Sequence, residues 1–398
     1  MRISLEMEIN MDYRIYWFWL SLSMDYEVHL MNLLLEYFLT PDNIFYCSKK
    51  TLIDMKLTDR QVDMVISNRN EKEIIKRYRE MEQKNIKMLC FGEKGFPDFS
   101  YMGYYQPRVL YYKGSFPDVT KPFISIVGAR NASVYGKYMA EKLGREAAMA
   151  GIDTVSGMAM GIDACGHKGT LDGNGRTYAV LGSGVDVCYP PSNHYLYERI
   201  IETGGIISEY VPGTPPNKIR FPLRNRIISG LSDKIIVVEA KEKSGSLITV
   251  EYGLQQGKDI YAVPGKATDS LSEGCNNLIK SGAGIITEIE DILWNKWELE
   301  YKNNDSKAGN KSNDFTKIAT LKDKIRTHKN QNLQEKKINM VLEKDLQVVY
   351  SNVDLLPLSL EDIVRKSRME ARDVVSILGR LQLMGIIKEN YKNYYSKV

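Results

Sequence analysis

The sequence predicts an α/β protein built around a doubly wound, mostly parallel sheet. Short β-branched segments alternate with longer helical patterns through the middle of the chain, which is the pattern of such a sheet. These segments are apolar at nearly every position, as expected for strands that are covered on both faces. The five segments are FISIVG from Phe123, DTVSG from Asp153, TYAVLG from Thr177, KIIVVEA from Lys234 and DIYAVPG from Asp259. Because ligands of these sheets bind beyond the carboxyl ends of the strands, we expect function in the loops that follow them.

The regions on either side of the sheet have different patterns. Apolar residues before about Lys84 recur at spacings of three and four, which predicts helices. Near the C-terminus two helical segments precede GIIKENYKNYYSKV, an alternating segment typical of a hairpin, and this order predicts a winged helix-turn-helix. The predicted parts are a helical domain (1–84), the sheet domain (85–295), a polar linker rich in Lys, Asn, Asp and Ser (296–338) and a winged-helix domain (339–398).

Composition narrows the class of protein. Hydrophobic residues make up 43% and charged residues 26% of the 398, as in folded globular domains. The net charge of +4 is small, so affinity for a polyanion has to come from local clusters. Five cysteines without a CxxC pair predict neither a disulfide framework nor a zinc ribbon, and they favour a reducing, cytoplasmic location. The apolar stretch from Ile15 is only about ten residues long, half of what a membrane span needs, so we expect no signal peptide and no membrane anchor.

The loop after the first central strand carries GARNASVYG, which places Gly128 and Arg130 at the carboxyl end of that strand. Doubly wound folds bind anions there, and an arginine fork suits a phosphate. The spacing matches neither GxGxxG nor GxxxxGK[ST], which disfavours a dehydrogenase or a nucleoside triphosphatase. We therefore expect no nucleotide cofactor. The alternative for Arg130 is an ion pair with a neighbouring carboxylate.

The loop after the second strand, SGMAMGIDACGH, contains Asp163 and His167 four residues apart on the following helix. An acid–base pair is conceivable, but helix capping and packing are commoner roles for such residues. Cys165 and His167 would need further ligands to hold a metal ion, and none is nearby in the sequence. We therefore predict no catalytic residue and no metal site.

The segment PPNKIRFPLRNRIISGLSD is the most basic part of the central domain. Basic side chains for phosphates beside an aromatic ring for base stacking are typical of a site for single-stranded nucleic acid. The alternative is that the phenylalanine belongs to the core and the arginines only solvate the surface. The residues concerned are Lys218, Arg220, Phe221, Arg224, Asn225 and Arg226.

A fourth loop, within KEKSGSLITVE, precedes a predicted helix. Its residues Ser244, Gly245 and Ser246 either cap that helix or donate hydrogen bonds to a phosphate. Both roles need these residue types, so the loop is a further candidate for anion binding.

In their order along the chain, these loops resemble the DNA-processing protein A (DprA, also called Smf) family. The shared motifs, between about Tyr101 and Leu293, are GxRxxSxYG, SGxAxGIDxxxHxGxL, TxAVLGxGxDxxYPxxN, SExxPGTPP, FPxRNRIIxGLS, SGSLIT and VPG. The flanking domains resemble the family only in general plan. Met160 stands where the family commonly has arginine, and the glycine-rich signal of a helix-hairpin-helix is not visible near the N-terminus.

The resemblance implies an extended Rossmann fold behind a SAM-like helical domain. It implies a homodimer, not an enzyme, that binds single-stranded DNA in a basic pocket and loads RecA recombinase during natural transformation. Arg130, Lys218 and Phe221 would contact the strand, with the remaining residues supporting them or lining the pocket. The implied nucleic-acid-binding residues are Gly128, Arg130, Lys218, Phe221, Arg224, Asn225, Arg226, Ser244, Gly245 and Ser246.

Two other functions stay open at the level of sequence. Nucleoside-monophosphate nucleosidases of a related fold carry PGGxGTxxE in the corresponding loop. Here SGSLITVE keeps the glutamate as Glu251 but lacks the glycine and the threonine, so the phosphate cradle of such an enzyme is incomplete. The other alternative is a transcription regulator that acts through the predicted winged-helix domain.

Overall fold

The computed structural model describes residues 12–293, 344–353, 358–383, 386–391 and 394–397. The chain divides into two compact units, Met1–Asn303 and Asn304–Val398. The predicted linker, 296–338, lies outside the described residues. Among the described helices, none combines the length and the apolar character that crossing a membrane requires.

The first unit begins with six helices, in agreement with the helical pattern of the sequence. They are α1 (Tyr13–Met24), α2 (Val28–Phe38), α3 (Pro41–Tyr46), α4 (Lys49–Asp54), α5 (Asp59–Ser67) and α6 (Glu71–Gln83). Helix α5 begins at a capping box, in which Thr58 and Gln61 satisfy each other's backbone N–H groups. The helices share a hydrophobic core with the sheet: the rings of Phe18 and Tyr111 pack edge to face with their centroids 6.2 Å apart.

A nine-stranded sheet follows within the described part of this unit. Its strands are β1 (Lys87–Cys90), β2 (Val109–Gly114), β3 (Phe123–Val127), β4 (Asp153–Ser156), β5 (Thr177–Val180), β6 (Gly205–Ser208), β7 (Lys234–Val237), β8 (Asp259–Ala262) and β9 (Gly284–Ile285). All five predicted central strands are present and begin at the predicted residue. Strand β6, Gly205–Ser208, was not predicted.

The order of the strands confirms the doubly wound topology. The sheet runs β1-β2-β6-β5-β4-β3-β7-β8-β9, parallel from β6 to β9, while β2 pairs antiparallel with both β1 and β6. From β3 the chain winds outwards through β4, β5 and β6, and then crosses back to β7 on the other side of β3. The direction of winding therefore reverses between β3 and β7, and a crevice is expected where the loops after these two strands diverge.

Six further helices cover the two faces of the sheet. They are α7 (Val134–Met149), α8 (Ile162–Asp172), α9 (His194–Thr203), α10 (Arg220–Leu231), α11 (Gly245–Gln255) and α12 (Glu273–Lys280). Helix α7 stops just before Gly151, whose φ of +70° suits a glycine after a helix end.

The second unit has its own hydrophobic core, which includes Leu346, Ile363, Leu378 and Ile387. Its elements are α13 (Lys344–Asn352), β10 (Leu358–Ser359), α14 (Leu360–Ser367), α15 (Ala371–Leu383), β11 (Ile387–Tyr391) and β12 (Tyr394–Lys397). The three strands form one sheet in the order β10-β12-β11. Two helices and a hairpin occur in the predicted order, and their identification as a winged helix stays a prediction.

Candidate nucleic-acid interface

An open pocket of about 860 Å³ lies at the point where the strand order reverses. Six chain segments supply its walls: the loops after β3, β4, β5, β7 and β8, and the start of α10. The five loops leave the carboxyl ends of parallel strands, and the loops that the sequence singles out are among the segments that meet here.

The loop after β3 is held against its neighbours by backbone hydrogen bonds. The N–H of Ala129 donates to the carbonyl of Glu239 (2.7 Å), and the N–H of Ile162 donates to the carbonyl of Ala129 (3.2 Å). A Cβ at Gly128 would lie 2.8 Å from both that Glu239 carbonyl oxygen and the side chain of Ile162, so only glycine lets the loop pack this closely. This fixed backbone leaves Arg130 exposed at the mouth of the pocket.

The N-terminus of α7, where such folds bind anions, is occupied by the protein's own carboxylate. Glu239 is buried, and its side chain accepts hydrogen bonds from the backbone N–H (2.9 Å) and the hydroxyl of Ser133. The same hydroxyl caps α7 by accepting from the N–H of Gly136 (3.0 Å). A ligand phosphate therefore cannot take the helix N-terminus that a bound dinucleotide would use, and must be held elsewhere in the pocket.

Asp163 and His167 have structural roles on α8. The carboxylate of Asp163, in the first turn of α8, accepts from the backbone N–H groups of Gly157 (3.1 Å) and Ala159 (3.4 Å), which ties the loop after β4 to the helix. His167 is buried with its Nδ1 2.6 Å from the hydroxyl of Thr177, and burial lowers its pKa to about 3, helped by the charge of Arg224. The imidazole is therefore neutral and packed in the interior, away from the pocket. Within the described part of the chain, His, Cys, Asp and Glu form no group of three or more that could hold a metal ion.

The loop before α10 presents Lys218 to the pocket, and the first turn of α10 presents Phe221. Lys218 is exposed, whereas Phe221 is half-buried against Gly182. The ring of Phe221 stacks on that of Tyr189, with centroids 5.3 Å apart and planes at 28°. The guanidinium of Arg130 lies 5.9 Å from the centre of the Phe221 ring. The guanidinium of Arg130 and the rings of Phe221 and Tyr189 thus lie next to one another on one wall of the pocket.

The arginines of α10 correct part of the prediction from sequence. Arg226 is 2% exposed and lies outside the pocket lining, where its guanidinium donates two hydrogen bonds, of 2.8 and 2.7 Å, to the carboxylate of Glu209. It is therefore not a DNA contact. The guanidinium of Arg220 also has partners within the protein. It forms an ion pair with Asp25 (2.7 Å) and donates a hydrogen bond to the carbonyl of Pro215 (2.7 Å).

Arg224 does line the pocket, but its guanidinium is turned inwards. It donates to the carbonyls of Gly157 (2.7 Å) and Val180. Burial lowers the pKa of Arg224 to about 10, opposed by the nearby charge of Asp163, so the group stays cationic at neutral pH. Arg224 thus joins the ends of two strands to α10, and its positive charge lies beneath the pocket floor rather than at its surface.

The loop after β7 completes the pocket with backbone amides and charge. Ser244 accepts from the N–H of Ser246 at 3.5 Å, and their hydroxyls are 2.8 Å apart at the start of α11. The side chain of Asn225 donates to the carbonyl of Gly245 (3.4 Å), which ties this loop to α10. Ser244, Gly245, Ser246 and Asn225 all line the pocket. The N-terminus of α11 is therefore the helix end that faces the pocket.

Three pocket residues were missed at the level of sequence. Tyr189 follows β5 in the YP motif, and its position in a loop beyond a strand end was the signal that could have found it. Lys241 and Lys243 stand immediately before the Ser-Gly-Ser loop and are exposed in the pocket wall. The lining contains five basic side chains and two acidic ones, so the pocket is positive although the chain is nearly neutral. Met160 is exposed and lies outside this lining.

The protein-family model described as DNA recombination-mediator protein A matches residues 87–296, which is more than half of the 398 residues. The chain belongs to the DNA recombination-mediator protein A family. This is the DprA/Smf family whose motifs the loops resemble. The matched range contains every strand of the large sheet and all of the pocket.

Two individual proteins of the family match over most of their own length. The DNA processing protein DprA of Streptococcus pneumoniae is 37% identical over 255 residues, which are 61% of this chain and 88% of that protein. The Smf protein of Synechocystis is 33% identical over 343 residues, 83% of this chain and 85% of its own. The X-ray structure of S. pneumoniae DprA gives a TM-score of 0.62 at 32% identity, covering 70% of this chain and 96% of that one. This likeness confirms the Rossmann-like α/β fold.

Proposed function

We propose that this DprA-family protein binds single-stranded DNA in the pocket between β3 and β7, as part of DNA processing. One observation carries the proposal: exposed cations surround a stacked pair of aromatic rings. The cations are Arg130, Lys218, Lys241 and Lys243, and the rings are Tyr189 and Phe221. Cations that follow a phosphate backbone, beside rings on which bases stack, bind a single strand with little regard to its sequence.

The aromatic pair favours a single strand over a duplex. Tyr189 is 41% exposed, so its ring is available to an incoming base. In a duplex each base is already stacked between its neighbours and cannot reach a protein ring without being turned out. The free-energy cost of unstacking a base is much smaller in a single strand. We therefore expect a single strand to bind more tightly than a duplex of the same sequence.

The residues have separate roles in this proposal. Arg130, with its planar fork, and the lysines hold phosphates. The amides and hydroxyls of Ser244 to Ser246 add hydrogen bonds at the positive end of α11. Asn225 positions that loop, and Arg224 stabilises the pocket floor from below. Gly128 serves by letting the Arg130 loop pack closely.

The experiment is a titration with a fluorescent oligothymidylate and a matched duplex over a series of salt concentrations. Arg130→Ala and Lys218→Ala should each weaken binding to the single strand. Each should also reduce the slope of log affinity against log salt by about 0.7, because one phosphate contact is lost. The matched control is Lys72→Ala, which removes an exposed cation on α6, outside the pocket, and should leave the slope unchanged.

Two results would contradict the proposal. An unchanged salt slope in both pocket variants, or equal affinity for the duplex, would show that the strand does not bind here. Release of a free base from a nucleoside monophosphate, abolished in Glu251→Ala, would favour the nucleosidase alternative. Glu251 is exposed on α11 and lies outside the pocket lining, which does not favour that chemistry.

We also propose the partners and the second domain that the family resemblance implies. The protein acts as a homodimer and transfers the bound strand to RecA recombinase in natural transformation, with no chemistry of its own. Residues 339–398 form a winged helix, which the order of α14, α15, β11 and β12 supports. Tight, sequence-specific binding of duplex DNA by the second unit would instead favour the transcription-regulator alternative.

A further inference from the structure

A second pocket, of about 620 Å³, lies in the first unit between α1, α2 and the segment that joins β1 to β2. It shares no lining residue with the DNA pocket. Four aromatic rings line it, those of Tyr13, Trp17, Phe91 and Tyr104. Trp17 is buried at the base, whereas the other three rings are partly exposed. The cavity therefore has an apolar base and a rim of aromatic residues, which is the composition of a recognition site for an apolar group.

The cation in this pocket is held in place without a charged partner. Arg108 lies over the face of Phe91, with its guanidinium 4.0 Å from the ring centre. Its Nε donates to the side-chain oxygen of Asn32 (2.6 Å), and Asn32 is itself fixed by donating to the carbonyls of Tyr104 and Gln106. No salt bridge to Arg108 occurs among the residues described. Burial lowers the pKa of Arg108, which reflects a charge that is partly desolvated and unpaired.

The carboxylate in the lining does not neutralise this cation. Glu36 accepts a hydrogen bond from the hydroxyl of Tyr104 and forms none with Arg108. Among the described residues, the two terminal nitrogens of Arg108 form no hydrogen bond, and a guanidinium fork can bind a carboxylate bidentately.

Leu39 lies on the rim, directly after α2, where its backbone N–H donates to the carbonyl of Leu35 (2.9 Å) and its φ is +69°. Its side chain is 78% exposed, so it contributes little to the core. The exposed leucine is therefore available to a partner. Contact with a partner is the role that such a residue can fill.

We propose that this pocket docks an acidic-hydrophobic peptide segment of a partner protein. An aromatic or aliphatic side chain of the segment inserts among the rings, beside Leu39, and a neighbouring carboxylate binds the fork of Arg108. Nucleic acid fits less well, because this lining has one basic and one acidic side chain, whereas the DNA pocket has five basic and two acidic ones. This docking pocket does not take part in strand binding, and none of its lining residues belongs to the DNA pocket.

The test selects peptides on the full-length protein from a phage-displayed library of random sequences. We expect the selected peptides to carry Asp or Glu beside Trp, Phe or Leu. Fluorescence anisotropy of one such peptide should then show about tenfold weaker binding to Arg108→Met and to Leu39→Asp, since each removes or opposes a charge-assisted contact. Met149→Asp is the matched control: Met149 is also 78% exposed but lies outside the pocket, and this variant should bind normally.

Several outcomes would overturn the proposal. Selection that yields no peptide dependent on Leu39, or peptides without an acidic residue, would do so. Weaker binding of oligothymidylate to Leu39→Asp, with circular dichroism unchanged, would assign the pocket to the DNA strand instead. If Arg108→Met fails to fold, Leu39→Asp still decides, because its side chain is exposed and aspartate tolerates a positive φ better than leucine.

Discussion

Arg226 and Lys218 lie eight positions apart in one basic segment, yet one charge is buried and the other is exposed. The guanidinium of Arg226 is buried against Glu209, while the ammonium of Lys218 faces solvent in the pocket wall. Burial raises the pKa of Glu209, and the charge of Arg226 opposes that rise. Each charge of this pair is tolerated in the interior only because the other is present.

We therefore expect Arg226→Ala to lower the free energy of unfolding by about 3–5 kcal/mol, because it leaves the carboxylate of Glu209 buried without a partner. Urea denaturation measures this. Lys218→Ala is the control and should change stability by less than about 0.5 kcal/mol, as an exposed substitution does. The double variant Arg226→Met with Glu209→Met should recover most of the loss. An Arg226→Ala protein as stable as the parent would contradict the account.

The aromatic pair gives a second prediction about single residues. Tyr189→Ala should weaken binding of oligothymidylate by about 1–3 kcal/mol if a base stacks on this ring. Its stability should change little, because the side chain is partly exposed. Phe221→Ala should weaken binding by a similar amount, and unfolding of that variant would show instead that Phe221 belongs to the core. Titration with both variants, with thermal melts alongside, separates the two roles.

At the scale of elements, the junction between β3 and α7 shows how a familiar anion site can become structural. Glu239 comes from the end of β7, and its carboxylate reaches the start of α7, where it takes the place of a ligand phosphate. Gly136 makes this possible, since a Cβ there would collide with that carboxylate. The Rossmann-like fold is kept, while the helix N-terminus that would hold a dinucleotide phosphate is occupied by Glu239.

Two glycines inside helices should respond in opposite ways to alanine. Gly136→Ala should destabilise the first unit, although alanine is the better helix former, because its Cβ displaces Glu239. Gly379→Ala, within α15, meets open space and should stabilise the second unit by about 0.5–1 kcal/mol. Chemical denaturation of the two variants measures both changes. Stabilisation by Gly136→Ala would show that Glu239 is not fixed at the helix start.

At the scale of the whole molecule, each unit is stabilised by its own hydrophobic core. The largest cluster of the first unit connects the N-terminal helices to β1, β2 and β6, so these helices are part of the structure that supports the sheet. Among the described residues, the core of the second unit is formed by residues from Leu346 onwards.

His167 makes the stability of the first unit sensitive to acid. Its pKa is about 3 when folded, against an ordinary 6.5, so below pH 6.5 the unfolded chain gains a proton that the folded unit does not. The free energy of unfolding should therefore fall as the pH drops from about 6.5 towards 3, by about 1.4 kcal/mol per pH unit from this group. Urea denaturation across this range should show a shallower dependence in His167→Gln. Equal slopes would mean that His167 is protonated in the folded protein.

The sequence by itself determined the class of fold, the family and the loops that carry the site. Strands covered on both faces leave continuous apolar runs, and glycines at their ends mark where the chain turns. Information of this kind is local. It located the loops containing Arg130, Lys218 and Ser244, and the structure brings these three residues to one pocket.

Only the tertiary structure decided which charges face the pocket. The partner of Arg226 is Glu209, 17 positions away in the chain, and the partner of Arg220 is Asp25, 195 positions away. No local sequence pattern could therefore distinguish these paired arginines from the exposed Lys218. The contact between Tyr189 and Phe221 and the Glu239 carboxylate at the start of α7 are of the same kind. The physical reason is that the burial and pairing of a polar group depend on residues that are neighbours in space but distant in the chain.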